Sequence, residues 1–146
     1  MQIRTGNMFD YKNNCDLLLV TGNSYIKKDS SLAMGRGAAG GLKNLYPGIE
    51  YEFGKNITHL VTYGLVIVEY KQKLFGLFQT KVHFKDKSTT DLIEYSTEKL
   101  NDYLKDTRAT YCAYLNLPGV GYGGLYYSDV LPIIRKLTGK VIVWRQ

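Results

Sequence analysis

The sequence predicts an α/β fold in which helices cover a mixed β-sheet. Short runs rich in Leu, Val and Ile recur at 2–5, 16–21, 58–63, 65–70, 74–79, 110–117 and 140–144. Helical periodicity falls between several of these runs, so strands alternate with helices in a layered arrangement. The runs 16–20 and 141–144 are apolar without alternation, which suits strands buried on both faces. Two runs flanking Gly64 read as a hairpin and make the sheet mixed rather than wholly parallel.

Taken in order, the second strand runs into TGNSYIKKDSSLAMGRGAAGG, whose polar part, 23–31, reads as a loop. Its glycine-rich part opens a helix over 36–46 that stops before Pro47. After the hairpin, strand 74–79 leads into FQTKVHFKDKS (78–88). A helix follows over 89–105, with Leu92, Tyr95, Leu100, Tyr103 and Leu104 as one stripe and Ser88 or Thr89 as its cap. The run TYCAYLNL (110–117) ends at Pro118, and four glycines then crowd residues 119–124. A helix over 128–138 begins at Ser128 and carries Val130, Leu131, Ile134 and Leu137, with Pro132 near its first turn and Gly139 closing it.

At 146 residues the chain reads as one domain, residues 1–146, long enough for a sizeable core. No apolar stretch reaches the roughly 20 residues that cross a bilayer. The opening MQIRTGNMFD lacks the charged-then-apolar build of a signal peptide. Cys15 and Cys112 have no metal-like spacing and read as small buried hydrophobes. A cytoplasmic monomer without metal, cofactor or membrane attachment is expected. Nineteen Lys and Arg against thirteen Asp and Glu give a net charge of +6, which favours an anionic partner such as a nucleotide or nucleic acid. The tyrosines could stack on bases, but their strand-like and helix-surface positions make packing the expected use.

Eight of the fifteen glycines lie in two clusters, MGRGAAGG (34–41) and the GVGYGG of LPGVGYGGLYYSDV (117–130). Each follows an apolar strand and precedes a helix, the arrangement that brings backbone N–H groups close to a phosphate. Neither matches a Walker motif or a dinucleotide fingerprint. Two such loops suit a ligand carrying two phosphates. Lys81 stands directly after an apolar strand, where α/β proteins place ligand-facing residues. It is either a phosphate contact or, if desolvated, an amine nucleophile toward a sugar carbon. His83 has no recognisable Ser or Cys partner, so no hydrolase triad is expected.

On these residues the chain resembles a macrodomain, the α/β/α module that binds ADP-ribose. The resemblance is to the ADP-ribosyl-glycohydrolase branch, which includes the terminal ADP-ribose glycohydrolase of animals and the bacterial antitoxin that removes ADP-ribose from DNA. It runs nearly end to end: GNMF (6–9), DLLLVTGNS (16–24), LAMGRGAAG (32–40), FQTKVHFKDKS (78–88), LPGVGYGGLYYSDV (117–130) and VIVW (141–144) each match a family segment in order.

The resemblance implies a three-layer α/β/α fold with a mixed, mostly parallel sheet. It implies that Lys81 is the nucleophile, with its amine attacking the ribose anomeric carbon. Gly35, Gly37, Gly121, Gly123 and Gly124 fall in its phosphate loops, with Pro118, Tyr122, Leu125 and Tyr126 beside them. Asn23 falls at the distal ribose, and Asn7, with Met8, at the adenine. The implied partner is ADP-ribose or an ADP-ribosylated macromolecule, nucleic acid included. The implied activity is release of ADP-ribose from a target or hydrolysis of a derivative such as ADP-ribose 1″-phosphate; a non-catalytic ADP-ribose reader is the alternative. The chain departs from the pattern at Asn7, which replaces an acid, in a slightly shorter second loop, and at Tyr126, which replaces Asp. No carboxylate remains in that loop before Asp129, which leaves acid–base work to water, substrate groups or His83.

Overall fold

The computed structural model describes residues 1–57, 60–106 and 110–146. Its centre is a sheet of six strands: β1 (Gln2–Thr5), β2 (Leu17–Gly22), β3 (Leu65–Tyr70), β4 (Lys73–Gln79), β5 (Cys112–Asn116) and β6 (Lys140–Arg145). They lie in the order β1-β6-β5-β2-β4-β3. Every neighbouring pair is parallel except β3 and β4, so the sheet is mixed and mostly parallel. The carboxyl ends of β5, β2 and β4 therefore come out side by side at one edge.

Four α-helices among the described residues cover the two faces: α1 (Gly37–Leu45), α2 (Ile49–Ile57), α3 (Thr90–Asp106) and α4 (Tyr127–Ile134). The run Leu17–Val20 shows how the layers arise. All four side chains are 0% exposed, because period-two geometry sends successive residues to opposite faces. Leu18 and Val20 join Leu42, Ile49, Phe53 and Ile57 of α1 and α2. Leu17 and Leu19 join Ile93, Leu100 and Leu104 of α3 and Val130 and Ile134 of α4. At about 1.5–3 kcal/mol for each fully buried aliphatic side chain, this strand contributes to both interfaces, as do Phe75 and Leu77 on one face and Phe78 on the other from β4.

Several elements differ from expectation. Thr58 and His59 lie outside the described residues, and residues 60–63 form no strand. Three backbone groups of 61–64 go to one side chain instead: Tyr63 N–H and Gly64 N–H donate to Gln79 Oε1, and the Val61 carbonyl accepts from Gln79 Nε2. The hairpin accordingly turns at Lys71-Gln72, between β3 and β4, and not at Gly64. The segment IEYEFGKNI, unassigned from sequence, forms α2, with Ile49, Phe53 and Ile57 buried at four-residue spacing. Residues Met8–Asn14 form a 3-10 turn capped by Asn7, whose side-chain oxygen accepts from Phe9 N–H at 3.0 Å.

In α3 the buried stripe is Ile93, Ser96, Thr97, Leu100 and Leu104, while Tyr95 is 37% exposed. The small Ser96 lets the helix sit close to the sheet, where its hydroxyl donates to the Gln79 carbonyl at 2.7 Å. Thr89 rather than Ser88 caps α3, accepting from Leu92 N–H. The last helix ends at Ile134, short of 138. Asn101 of α3 intercepts it, donating to the Lys136 carbonyl and accepting from Thr138 N–H. No helix among the described residues is long and apolar enough to cross a membrane.

Candidate functional site

A cleft of about 310 Å³ opens at the carboxyl edge of β5, β2 and β4, a volume within the usual range of small-ligand sites. Crevices at this edge are where open α/β sheets bind ligands. One wall runs from Gly22, the last residue of β2, through Asn23, Ala33, Met34, Gly35 and Arg36 to Gly37, Ala38 and Ala39 of α1. The other is the loop after β5, with Gly119, Val120, Tyr122 and Gly123. Thr80 and Lys81, after β4, close the floor with Phe84 and Ser88.

The first wall presents the amino end of α1. Arg36 stands at its cap position in extended conformation without a side-chain cap bond, and the first turn has no acidic residue. The helix therefore turns uncapped N–H groups and its positive dipole end toward the cleft. Gly37, at φ +61°, makes the bend into the helix, and a Cβ at Gly35 would meet nothing within 4 Å, so that backbone lies bare. Gly40 and Gly41 serve packing instead: Cβ atoms there would meet the Gly35 backbone at 3.1 Å and Phe9 at 2.9 Å.

The second wall is a compact turn. Gly119, Gly121 and Gly124 all have φ near +80°, the left-handed region that glycine adopts without steric cost. Leu125 N–H closes the turn on the Gly119 carbonyl at 2.9 Å, and Gly124 N–H bonds the Gly121 carbonyl at 3.0 Å. Ser88 N–H donates to the Gly123 carbonyl at 2.8 Å, fixing the loop against the start of α3.

Lys81 is half-buried at the meeting of the two walls. Burial depresses its pKa below the ordinary lysine value, and the Arg36 guanidinium depresses it further, with Asp86 opposing both. Its backbone is held from below. The fully buried Gln79 amide donates to the Lys81 carbonyl at 3.3 Å and to the Val61 carbonyl at 2.8 Å, while accepting the two N–H bonds from Tyr63 and Gly64. Lys27, Arg36, Lys43 and Lys81 all line the cleft, and among the described residues no carboxylate does. The site suits an anion.

Of the residues expected to bind, the cleft brings together Asn23, Gly35, Gly37, Lys81, Tyr122 and Gly123. Asn7, Met8, Pro118, Gly121, Gly124, Leu125 and Tyr126 are not among its lining residues. Met8 is buried in the core beneath α1, Leu125 packs toward α3 and α4, and Tyr126 stands 77% exposed ahead of α4. Asn23 is committed internally, donating to the Ala33 carbonyl and accepting from Tyr25 N–H. His83 does not line the cleft; its Nδ1 accepts from Lys85 N–H, and its ring packs on Phe84 and Tyr25.

Sequence reasoning did not find Arg36, Gln79, or the pair Thr21 and Asn116. In that pair the Asn116 amide both accepts from Thr21 N–H and donates to its hydroxyl, each at 3.0 Å, pinning β2 to β5 at the cleft. A polar residue ending an apolar strand was the available signal for both Gln79 and Asn116. Among the described residues no cluster of His, Cys, Asp or Glu is arranged to hold a metal ion.

The sheet order, the helix layers and the cleft at the carboxyl edge together define a macrodomain fold, and comparison with solved structures bears this out. The chain is similar to the macrodomains of Thermus aquaticus DarG (TM-score 0.79, 19% identity, 99% of this chain and 97% of that one) and Mycobacterium tuberculosis DarG (0.79, 22%, 99% and 98%). It is also similar to Thermosipho africanus DarTG, a structure in complex with ADP-ribose (TM-score 0.80, 22% identity), covering 99% of this chain but 41% of that one. No family model and no curated protein sequence matches the chain.

Proposed function

We propose that the cleft binds ADP-ribose and that Lys81 releases it from a modified target. The observation that carries this reading is a desolvated lysine set between two glycine-built, anion-facing loops at one sheet edge. The uncapped end of α1 and the Gly119–Gly124 turn receive the diphosphate. The ADP-ribose bound in the similar DarTG structure supports the same ligand here. A neutral Lys81 amine attacks the anomeric carbon, and the bond to the target breaks with its electron pair leaving on the target. The proton lost from the new ammonium balances the leaving group, and water then frees the sugar and restores the amine. Depression of the Lys81 pKa serves this step by enlarging the fraction of free amine.

The test is incubation with ADP-ribosylated protein, ADP-ribosylated DNA and ADP-ribose 1″-phosphate, beside Lys81→Ala. Release from one substrate that vanishes in Lys81→Ala, while calorimetry shows retained ADP-ribose binding, is the expected result. Binding without release from any of the three would leave a reader, and absence of ADP-ribose binding would remove the ligand assignment.

A further inference from the structure

The two walls of the cleft touch across its mouth. The Arg36 guanidinium lies over the Tyr122 ring, 4.9 Å from its centroid. Arg36 closes the first loop, Tyr122 sits in the 3-10 turn Gly121–Gly123 of the second, and both line the cleft. Tyr122 is 68% exposed. Arg36 forms no ion pair among the described residues and caps nothing. A guanidinium held over a ring through its central carbon keeps N–H donors at its rim for other partners, and that rim can take two oxygens of a phosphate. Gly37 at φ +61° and Gly121 at φ +81° flank the contact; a Cβ at Gly37 would meet Tyr122 Cδ2 at 3.7 Å, whereas one at Gly121 would meet nothing within 4 Å.

We propose that Arg36 and Tyr122 form a clasp over the ligand: Arg36 binds the diphosphate, and Tyr122 holds the guanidinium in place and slows release. Arg36 is then a binding residue and Tyr122 a positioning residue that acts through it. The clasp rests on the reading that the cleft takes ADP-ribose.

The experiment measures ADP-ribose release by stopped-flow displacement, and its salt dependence, for wild type, Arg36→Ala, Tyr122→Ala, Tyr122→Phe and the double alanine variant. Circular dichroism checks that each is folded. Tyr122→Ala is expected to speed release about fivefold, the scale of a part-exposed cation–π contact. Tyr122→Phe keeps the face and retains slow release. The double variant releases no faster than Arg36→Ala, because the ring has nothing left to position. Arg36→Ala flattens the salt dependence, which loss of packing alone would not do. Wild-type release rates in Tyr122→Ala, purely additive effects, or a Tyr122→Phe as fast as Tyr122→Ala would each overturn the clasp while leaving ADP-ribose binding intact. A wild-type chain that binds no ADP-ribose would overturn the underlying reading and the clasp with it.

Discussion

Ser88 and Gly123 meet so closely that the second loop has no room for a side chain: a Cβ at Gly123 would lie 2.5 Å from Ser88 Oγ and 3.1 Å from Ser88 Cβ. Ser88 is itself buried and its N–H donates to the Gly123 carbonyl, so its Cβ stays in place even where the hydroxyl rotates. Gly123→Val should push the loop from its place, reducing ADP-ribose affinity tenfold or more. It should cost about 1–3 kcal/mol of stability, the range for overpacking. Gly35→Ala is the contrast, since a Cβ there meets nothing. Its melting temperature should stay unchanged, and any loss of affinity then reads ligand contact directly. Calorimetric binding and thermal denaturation of the two variants check both statements.

The electrostatics of Lys81 predict opposite effects from its two charged neighbours. Arg36 lowers its pKa and Asp86 raises it. Arg36→Gln should therefore shift the Lys81 titration upward and move the rise of the pH–rate profile to higher pH. Asp86→Asn should shift both downward while keeping the oxygen that accepts from His83 N–H. The linkage sign follows: with the folded value below the unfolded one, the unfolded chain binds more protons between them, and stability increases as pH rises across that window. NMR titration of isotopically methylated lysine measures the shifts. Movement of both variants in one direction would contradict the assignment.

Lys71 and Gln72 turn the β3–β4 hairpin with φ of 50° and 65°. Both central positions of this two-residue turn are left-handed, a geometry that favours Asn-Gly and strains other residues. Replacing the pair by Asn-Gly should stabilise the chain by about 1–2 kcal/mol, raising the melting temperature by roughly 3–6 °C. The site is distant from the cleft, so ligand affinity should stay constant.

The cysteines should differ in reactivity. Burial pushes the Cys15 thiol up to about 12, against the pull of Lys73. Burial and then Asp16 also raise Cys112. At pH 8 Cys15 should alkylate roughly 50-fold more slowly than a free thiol, after allowing for the greater nucleophilicity of a more basic thiolate. Its contribution to stability is complete below the ordinary thiol value of 9.0 and is lost as pH rises toward about 12. Mass spectrometry of a timed alkylation, read site by site, tests this, with Cys112 expected to react first.

Much of the architecture was legible because it is written locally. The apolar runs marked all six strands, and the uninterrupted Leu17–Val20 run announced burial on both faces. The strand expected at 58–63 misled because Leu60, Val61, Thr62 and Tyr63, strand-forming types just before Gly64, look like a hairpin arm. What diverts the Tyr63 and Gly64 N–H groups is the Gln79 side chain, sixteen residues away from Tyr63. Helix α2 is unassigned from sequence. The spacing of Ile49, Phe53 and Ile57 was the available guide.

By itself, the sequence determined the layered α/β plan, the two glycine loops and a lysine at the end of a strand, since periodicity and glycine content act over a few residues. Only the tertiary structure decided which groups meet. The Thr21–Asn116 bond spans 95 positions. Ser88 with Gly123, Gln79 with Tyr63 and Arg36 with Tyr122 are likewise joined by sheet order and helix packing. Those partnerships depend on the order in which β5, β2 and β4 lie side by side, and no local pattern encodes that order, because a strand's own residues do not state which neighbour it will pair with.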